Sequence, residues 1–173
     1  MNLYFRLIRV LVMCLFASRA GVLQGSRIRY RAWPFDCDIN LHLTNARYFA
    51  LCDLARTYYL GQVGVLLRMV RRNWLPVVQS QVISYIKPIN PLQRFEVTTE
   101  LSHWDEKYWY VVHKFFAGEQ LCAVLQVRGV IINGRKVIPM SDVVALTGEG
   151  VASPPRTRSI EHWQDLLESK KSL

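Results

Sequence analysis

The stretch FDCDINLHLTNARYFALCDLARTYYL, residues 35–60, sets a polar loop directly before a long helical pattern. Residues 45–60 contain neither proline nor glycine, and their apolar residues recur at helical spacing. We therefore predict a helix over 45–60 that ends at Gly61, with Asn45 as its N-cap. This helix is the element around which the rest of the chain must be arranged.

The chain beyond this helix changes to strand patterns. Residues 94–104, RFEVTTELSHW, alternate apolar with polar side chains, and short turns link them to strand patterns at 108–116 and 121–132. Short links make such neighbours antiparallel. A further β-rich run covers 75–89. Four long strands must bury an apolar face, and 45–60 is the long helix available, so we predict an α+β fold whose antiparallel sheet wraps around a central helix.

The two ends of the chain differ from this central part. Residues 1–24 are apolar and basic, and a helical wheel puts Asn2, Arg6, Arg9 and Met13 on one narrow face. We predict a helix that lies in a membrane interface or covers its own domain, with a removable signal or a full membrane span as alternatives. Residues 25–150 form the main domain, and 151–173 are a linker and a C-terminal helix. We expect a cytoplasmic location, with membrane association through the N-terminus left open.

Charge and cysteine content limit the function classes. The 173 residues carry a net charge of +9, and no acid occurs before Asp36. Such a basic arm suits anionic lipid, a phosphorylated ligand or nucleic acid. Nucleic acid fits poorly because no binding motif appears and the aromatic residues follow strand and core patterns. The four cysteines form no C-x-x-C pair, so we expect free thiols and no metal site.

The polar loop before the helix has the residues that ester-type chemistry needs. A carboxylate just upstream of a helix can act as general base or nucleophile, and the first helical N–H groups can stabilise a developing oxyanion. Asp38 and His42 are the candidates in the loop, while Asp36 is expected to organise the turn. These residues also have structural alternatives. Asp38 can be a turn residue, His42 can serve the loop structure, and the neighbouring Asn45 can be a helix cap.

The segment DCDINLHLTNARY resembles the hotdog-fold acyl-CoA thioesterases of the 4-hydroxybenzoyl-CoA thioesterase type, whose loop reads D-x-D-x-x-G-H-V-N-N-x-x-Y. It departs from that pattern at Leu41 and Thr44. With KPINPLQRFEV, WDEKYWY and IEHW, the chain looks most like the thioesterase superfamily member 6 branch. The resemblance implies a hotdog fold and assigns the catalytic acid to Asp38, assisted by His42 and Asn45.

The resemblance also implies a substrate and an assembly. It implies hydrolysis of an acyl-CoA thioester by a homodimer or a dimer of dimers, with coenzyme A as part of the substrate and no other cofactor. Candidate substrate-binding residues are Tyr48, otherwise expected in packing, Ser80, and the phosphate-binding candidates Arg71, Arg72 and Lys87. Two alternatives stay open: a non-catalytic acyl- or lipid-binding hotdog module at a membrane, and a dehydratase of the same fold. His103, His113 and His162 are expected on sheet or helix surfaces.

Overall fold

The computed structural model describes residues 2–170, which form five α-helices and six strands in the described part of the chain. In chain order these are α1 (Asn2–Phe16), β1 (Ser26–Arg31), a 3₁₀ turn (Pro34–Asp36), α2 (Asn45–Gln62), α3 (Leu66–Arg71), β2 (Leu75–Tyr85), β3 (Arg94–Trp104), β4 (Trp109–Ala117), β5 (Gln120–Asn133), β6 (Lys136–Ile138), α4 (Met140–Ala145) and α5 (Arg158–Ser169).

The strands form one antiparallel sheet in the order β1-β3-β4-β5-β2. The predicted pairing of β3, β4 and β5 is confirmed, and it follows from the short turns between them. Strand β2 pairs with β5 rather than with β3, the strand that follows it in the chain, so the link 86–93 crosses the sheet. Strand β6 was not predicted, and it pairs back onto β5 through a tight hairpin.

Helix α2 is packed against this sheet, as predicted. Leu51, Leu54 and Ala55 lie on its buried face, and they join one core with Phe115 and Leu125 from the sheet. Apolar residues three and four apart on a helix share a face, so this spacing turns one side of α2 toward the strands. The burial of this face against the strands is the contact that makes the sheet and the helix one core.

The ends of α2 differ from the prediction. The N-cap is Thr44 rather than Asn45, which is the first residue of the helix. The helix continues through Gly61 to Gln62. Because Gly61 has no side chain, Cys14 of α1 can pack closely against it. The turn falls instead at Gly64, whose φ is +75°. That conformation suits glycine and ends the helical segment.

Helix α1 lies on α2 with its inner side buried. Val10 is fully buried, and the guanidinium of Arg6 forms an ion pair with the buried carboxylate of Asp36. Tight contact with α2 is possible where Cys14 meets Gly61. None of the helices within residues 2–170 combines the length and the apolar character needed to cross a bilayer.

Helix α5 covers the other face of the sheet. Helix α5 has Thr157 as its N-cap, whose hydroxyl accepts a hydrogen bond from the Ile160 N–H at 3.4 Å. Ile160 and Trp163 of this helix pack on Tyr110 of β4. Helix α4 begins at Met140, directly after Pro139, and its buried residues Met140, Val143 and Val144 belong to the core that contains α2.

Candidate active site

The loop between β1 and α2 is held in place by the first of its two acids. Asp36 is fully buried, contacts the guanidinium of Arg6, and lies 3.2 Å from Nε of Arg47. Its Oδ2 also accepts a hydrogen bond from the backbone N–H of Trp33 at 3.0 Å. Asp36 therefore has the structural role expected from the sequence, and it ties α1, the loop and the first turn of α2 together.

The second acid lies at the tip of the loop. Residues Asp38 to Leu41 form a tight turn, in which the Leu41 N–H donates to the Asp38 carbonyl at 3.0 Å. Oδ1 of Asp38 accepts from the N–H of Asn40 at 2.9 Å and from that of His42 at 3.4 Å. Leu41 has a φ of +57°. The turn thus takes the left-handed conformation that glycine favours, although leucine occupies the position.

The N-terminus of α2 begins beside this turn. The Thr44 N–H donates to the Asp36 carbonyl at 2.9 Å, which fixes where the helix starts. The Thr44 side chain makes no capping hydrogen bond to the helix in the described structure. Because the first helical N–H groups have no partner within the helix and carry partial positive charge, they can donate hydrogen bonds to an anionic oxygen.

The loop tip, the helix start and the end of β2 enclose one cavity of about 300 Å³. The structure brings five of the candidate residues to it, and the segment Tyr85–Pro88 forms the opposite wall. The candidates that line it are Asp38, His42, Asn45, Tyr48 and Lys87. A hydrogen bond of 2.8 Å from the Leu43 N–H to the Ile89 carbonyl joins the loop to that wall.

Tyr48 belongs to the core as well as to this cavity. Its ring is buried and meets the rings of Tyr85 and Phe115 edge-on, with centroids 5.2 and 4.8 Å apart. Burial raises the pKa of Tyr48 above its ordinary value, so the phenol stays protonated. It can therefore donate a hydrogen bond into the cavity but does not supply a negative charge.

Three other candidates lie elsewhere. Ser80 is in the middle of β2, paired with Arg128 of β5, and it does not line the cavity. Arg71 and Arg72 lie at the C-terminal end of α3, where the Arg72 guanidinium stacks over the Trp74 ring at 5.7 Å. Within one chain these residues are not brought to the cavity that Asp38 lines.

A second cavity, of about 340 Å³, lies along the C-terminal half of α2 and was not foreseen. Its lining is mostly apolar, and its polar members include Asp53, Arg56, Thr57 and Thr147. Arg56 pairs with Asp53, and its Nη1 lies 3.3 Å from Nε2 of His113. The prediction that His113 lies on a surface is wrong. Its ring is fully buried, and Nδ1 lies 3.0 Å from the Thr99 hydroxyl.

Burial and the neighbouring Arg56 charge lower the pKa of His113 well below 6.5, so the ring is neutral. The strand alternation contains a signal for this position, because His113 shares its face of β4 with the buried residues Val111 and Phe115. His103 is also buried rather than on the surface: its Nδ1 lies 2.8 Å from the Pro154 carbonyl, under the linker that leads to α5.

An antiparallel sheet around a central helix, with a loop carboxylate at that helix's N-terminus, is the arrangement implied by the sequence resemblance. A family model described as the Thioesterase-like superfamily matches residues 32–147. The chain belongs to this family, and the predicted relationship to hotdog thioesterases is confirmed.

Individual relatives agree with this assignment. A Saccharomyces cerevisiae protein named "Probable thioesterase YBR096W" is 30% identical over 120 residues, which is 68% of this chain and 52% of the yeast protein. Protein THEM6 of Danio rerio is 27% identical over 163 residues, 92% of this chain and 79% of the relative. The chain thus spans only about half the length of the yeast protein.

Solved structures share the fold. The Staphylococcus aureus protein SAV2348, solved in complex with CoA, has a TM-score of 0.65 at 15% identity, over 83% of this chain and 96% of its own. Structures named as thioesterases match as well. The predicted hotdog fold is therefore confirmed, and the matching family and the yeast relative are both named for thioesterases.

Proposed function

We propose that this protein hydrolyses an acyl-CoA thioester, using the cavity at the N-terminus of α2. The observation that carries the proposal is that Asp38, His42 and the start of α2 line one cavity. The two backbone N–H groups that donate to the Asp38 carboxylate both use Oδ1, which leaves Oδ2 for a substrate. A carboxylate and helical N–H groups on one cavity wall are the two elements that thioester cleavage requires.

The reaction follows from these positions. Asp38 either removes a proton from water, which then attacks the thioester carbonyl, or attacks the carbonyl itself to form an anhydride that water cleaves. In both routes the carbonyl oxygen gains negative charge, which the N–H groups at the start of α2 stabilise. In the general-base route the carbon–sulfur bond then breaks to give the free acid and the CoA thiolate. In the nucleophilic route it breaks to give the anhydride and the thiolate, and water then cleaves the anhydride to the free acid. In both routes the thiolate takes up the proton that the attacking water loses. His42 is positioned to hold the carbonyl or to orient Asp38.

The CoA portion calls for cationic groups. Lys87 lies in the cavity wall and can contact a phosphate. Arg71, Arg72 and Ser80 are distant from this cavity within one chain, so they reach a substrate only if its CoA moiety extends along α3 and β2 or if a second protomer presents them. The complex of the neighbour SAV2348 with CoA supports this substrate class.

We also propose a homodimer that joins through β2. Strand β2 is an outer strand of the sheet, and among residues 2–170 no strand pairs with its outer edge. Its exposed residues include Val77, Val82 and Tyr85. An open edge with apolar side chains favours pairing with another chain, and this edge adjoins the cavity at Tyr85. Light scattering should give twice the monomer mass, and Val82→Lys should shift the protein toward monomer; a monomeric native protein contradicts the proposal.

The test of catalysis is release of free CoA across a panel of acyl-CoA substrates. Asp38→Asn keeps the side-chain shape and should lower kcat about 10²–10⁴-fold, the usual contribution of a general base. Asp142→Asn is the matched control, because Asp142 is an exposed acid in the first turn of another helix. Equal turnover by the native protein and Asp38→Asn would contradict the assignment of Asp38.

A non-catalytic acyl-binding module is the second candidate. It is favoured by the exposed apolar side chains Ile39 and Leu41, which follow Asp38 in the loop tip, and by the use of the Asp38 carboxylate in the turn. In this case the native protein and Asp38→Asn bind acyl-CoA with equal affinity, and neither releases CoA. Calorimetric binding measured beside the release assay separates the two functions.

A further inference from the structure

The outer side of α1 carries seven large apolar side chains that are exposed. Phe16 is 84% exposed and Leu15 is 80% exposed, and the other exposed members on this helix are Tyr4, Phe5, Ile8, Leu11 and Val12. Positions 4, 8, 11 and 15 follow one helical stripe, and 5, 12 and 16 follow the next. The apolar surface therefore runs along the whole helix.

This exposure is not caused by a helix that has failed to dock. The inner side of α1 is fixed by the buried Val10, by the ion pair of Arg6 with Asp36, and by the contact of Cys14 with Gly61. Thus α1 turns Arg6 toward the protein, while the seven large apolar side chains named above face outward. A docked helix whose apolar residues face outward needs a second contact to remove them from water.

A basic groove adjoins this surface between α1 and β1. It holds no acid in its lining and contains five arginines together with Phe5, Tyr30 and Trp33. Arg6 pairs with Asp36, and Arg29 pairs with Glu96. The remaining three form no ion pair within residues 2–170 and so keep their charge for another partner; they are Arg9, Arg31 and Arg94.

We propose that the outer side of α1 and this arginine groove form a docking surface for a membrane that contains anionic lipid. The apolar side chains would enter the boundary between headgroups and acyl chains, and the three arginines would contact lipid phosphates. A helix has a radius of about 5 Å with its side chains, and an interfacial helix is buried about 5–10 Å deep. The outer half of α1 therefore has the depth that this contact needs.

The charge argues against a second copy of this chain as the occupant. If two chains met through α1, they would bring two sets of three unpaired arginines together, and like charges in contact disfavour association. An anionic lipid surface satisfies both the apolar stripe and the arginines. This surface is separate from the cavity that Asp38 lines, and the proposal does not depend on catalysis.

Flotation of the full chain with vesicles tests the proposal. One set of vesicles contains phosphatidylcholine alone, and the other contains equal parts of phosphatidylcholine and phosphatidylglycerol. The native protein should float with the anionic vesicles and not with the neutral ones, and added salt should release it. Binding to neither set, or equal binding to both, would overturn the proposal.

Two pairs of variants locate the contact. Leu15→Glu with Phe16→Glu should lower binding to anionic vesicles more than tenfold, while Leu67→Glu with Val70→Glu, at two positions of α3 that are each 59% exposed, should leave it unchanged. Arg31→Gln with Arg94→Gln should lower binding to anionic vesicles by about fivefold for each arginine replaced. The matched charge control is Arg135→Gln with Lys136→Gln, in an exposed hairpin turn, which should have no such effect.

The same variants distinguish a membrane contact from a contact between two copies of the chain. Undiminished vesicle binding by the glutamate pair at 15 and 16 would show that α1 is not the contact. A smaller molecular mass for that pair in light scattering would show that the surface joins two copies of the chain, which also overturns the proposal. Asp38→Asn should bind vesicles like the native protein, so a failure here and a failure of the proposed hydrolase can be told apart.

Discussion

Replacing Asp36 by asparagine is expected to lower the free energy of unfolding by about 3–5 kcal/mol, the cost of removing one partner from a buried ion pair. Asp36 is 0% exposed, contacts Arg6, and lies 3.2 Å from Nε of Arg47. Asparagine keeps the shape and can still accept the Trp33 N–H. It leaves the guanidinium of Arg6, 8% exposed, without its opposite charge.

Glu96→Gln is the matched control. Glu96 also contacts two arginines, Arg27 at 2.9 Å and Arg29 at 2.6 Å, but both arginine side chains are exposed. Because solvent screens such pairs, this change should cost less than about 1 kcal/mol. Urea unfolding followed by tryptophan fluorescence measures both variants. With a slope of about 2 kcal/mol per molar urea, Asp36→Asn should move the midpoint by roughly 2 M.

The comparison can refute the reasoning. If Asp36→Asn and Glu96→Gln lower the midpoint equally, burial does not decide the strength of the Asp36 pair. If Asp36→Asn is as stable as the native protein, the attachment of α1 through Arg6 contributes little to the fold.

Further predictions concern three single positions. Leu41→Gly should be up to about 1 kcal/mol more stable, because glycine accepts a positive φ, whereas the β-branched Leu41→Val should be less stable; thermal unfolding distinguishes them. The pKa of His113 is lowered in the folded protein, so on acidification the unfolded chain takes up a proton first. The stability that neutral His113 contributes is therefore present above about pH 6.5, and below it the free energy of unfolding falls by up to about 1.4 kcal/mol per pH unit. Between about pH 7 and pH 5, the urea midpoint of His113→Gln should therefore fall less than that of the native protein. An equal fall in both proteins would contradict this prediction. Gly61→Ala should cost about 1–3 kcal/mol by overlap with Cys14, and Gly150→Ala, which has open space around it, is the control.

Much of the fold could be predicted because its signals are local. The helical repeat of residues 45–60 and the alternation of 94–104 depend only on neighbours in the sequence, and the short turns after 94–104 force antiparallel pairing. The place of β2 beside β5 could not be predicted in this way. Its outgoing link, 86–93, is long enough to reach either side of the sheet, so packing rather than chain length selects the neighbour.

The proximity of some candidate site residues could also be predicted, because it depends on local structure. Asp38, His42, Asn45 and Tyr48 fall within one loop and one helical turn, so their proximity follows from local structure. Lys87 reaches the same cavity through the hydrogen bond from Leu43 to Ile89, a contact between distant segments. The separation of Arg71, Arg72 and Ser80 from that cavity depends on where α3 and β2 are packed, which no local pattern contains.

The sequence by itself determined the central helix, the antiparallel strands that follow it and the order of polar residues in the loop between 35 and 45, because these depend on residue spacing. Only the tertiary structure decided which charges are buried and which are exposed. It places Asp36 and His113 in the core and turns the apolar side of α1 outward, since the free energy of burying a charged, polar or apolar group depends on what the folded chain packs around it.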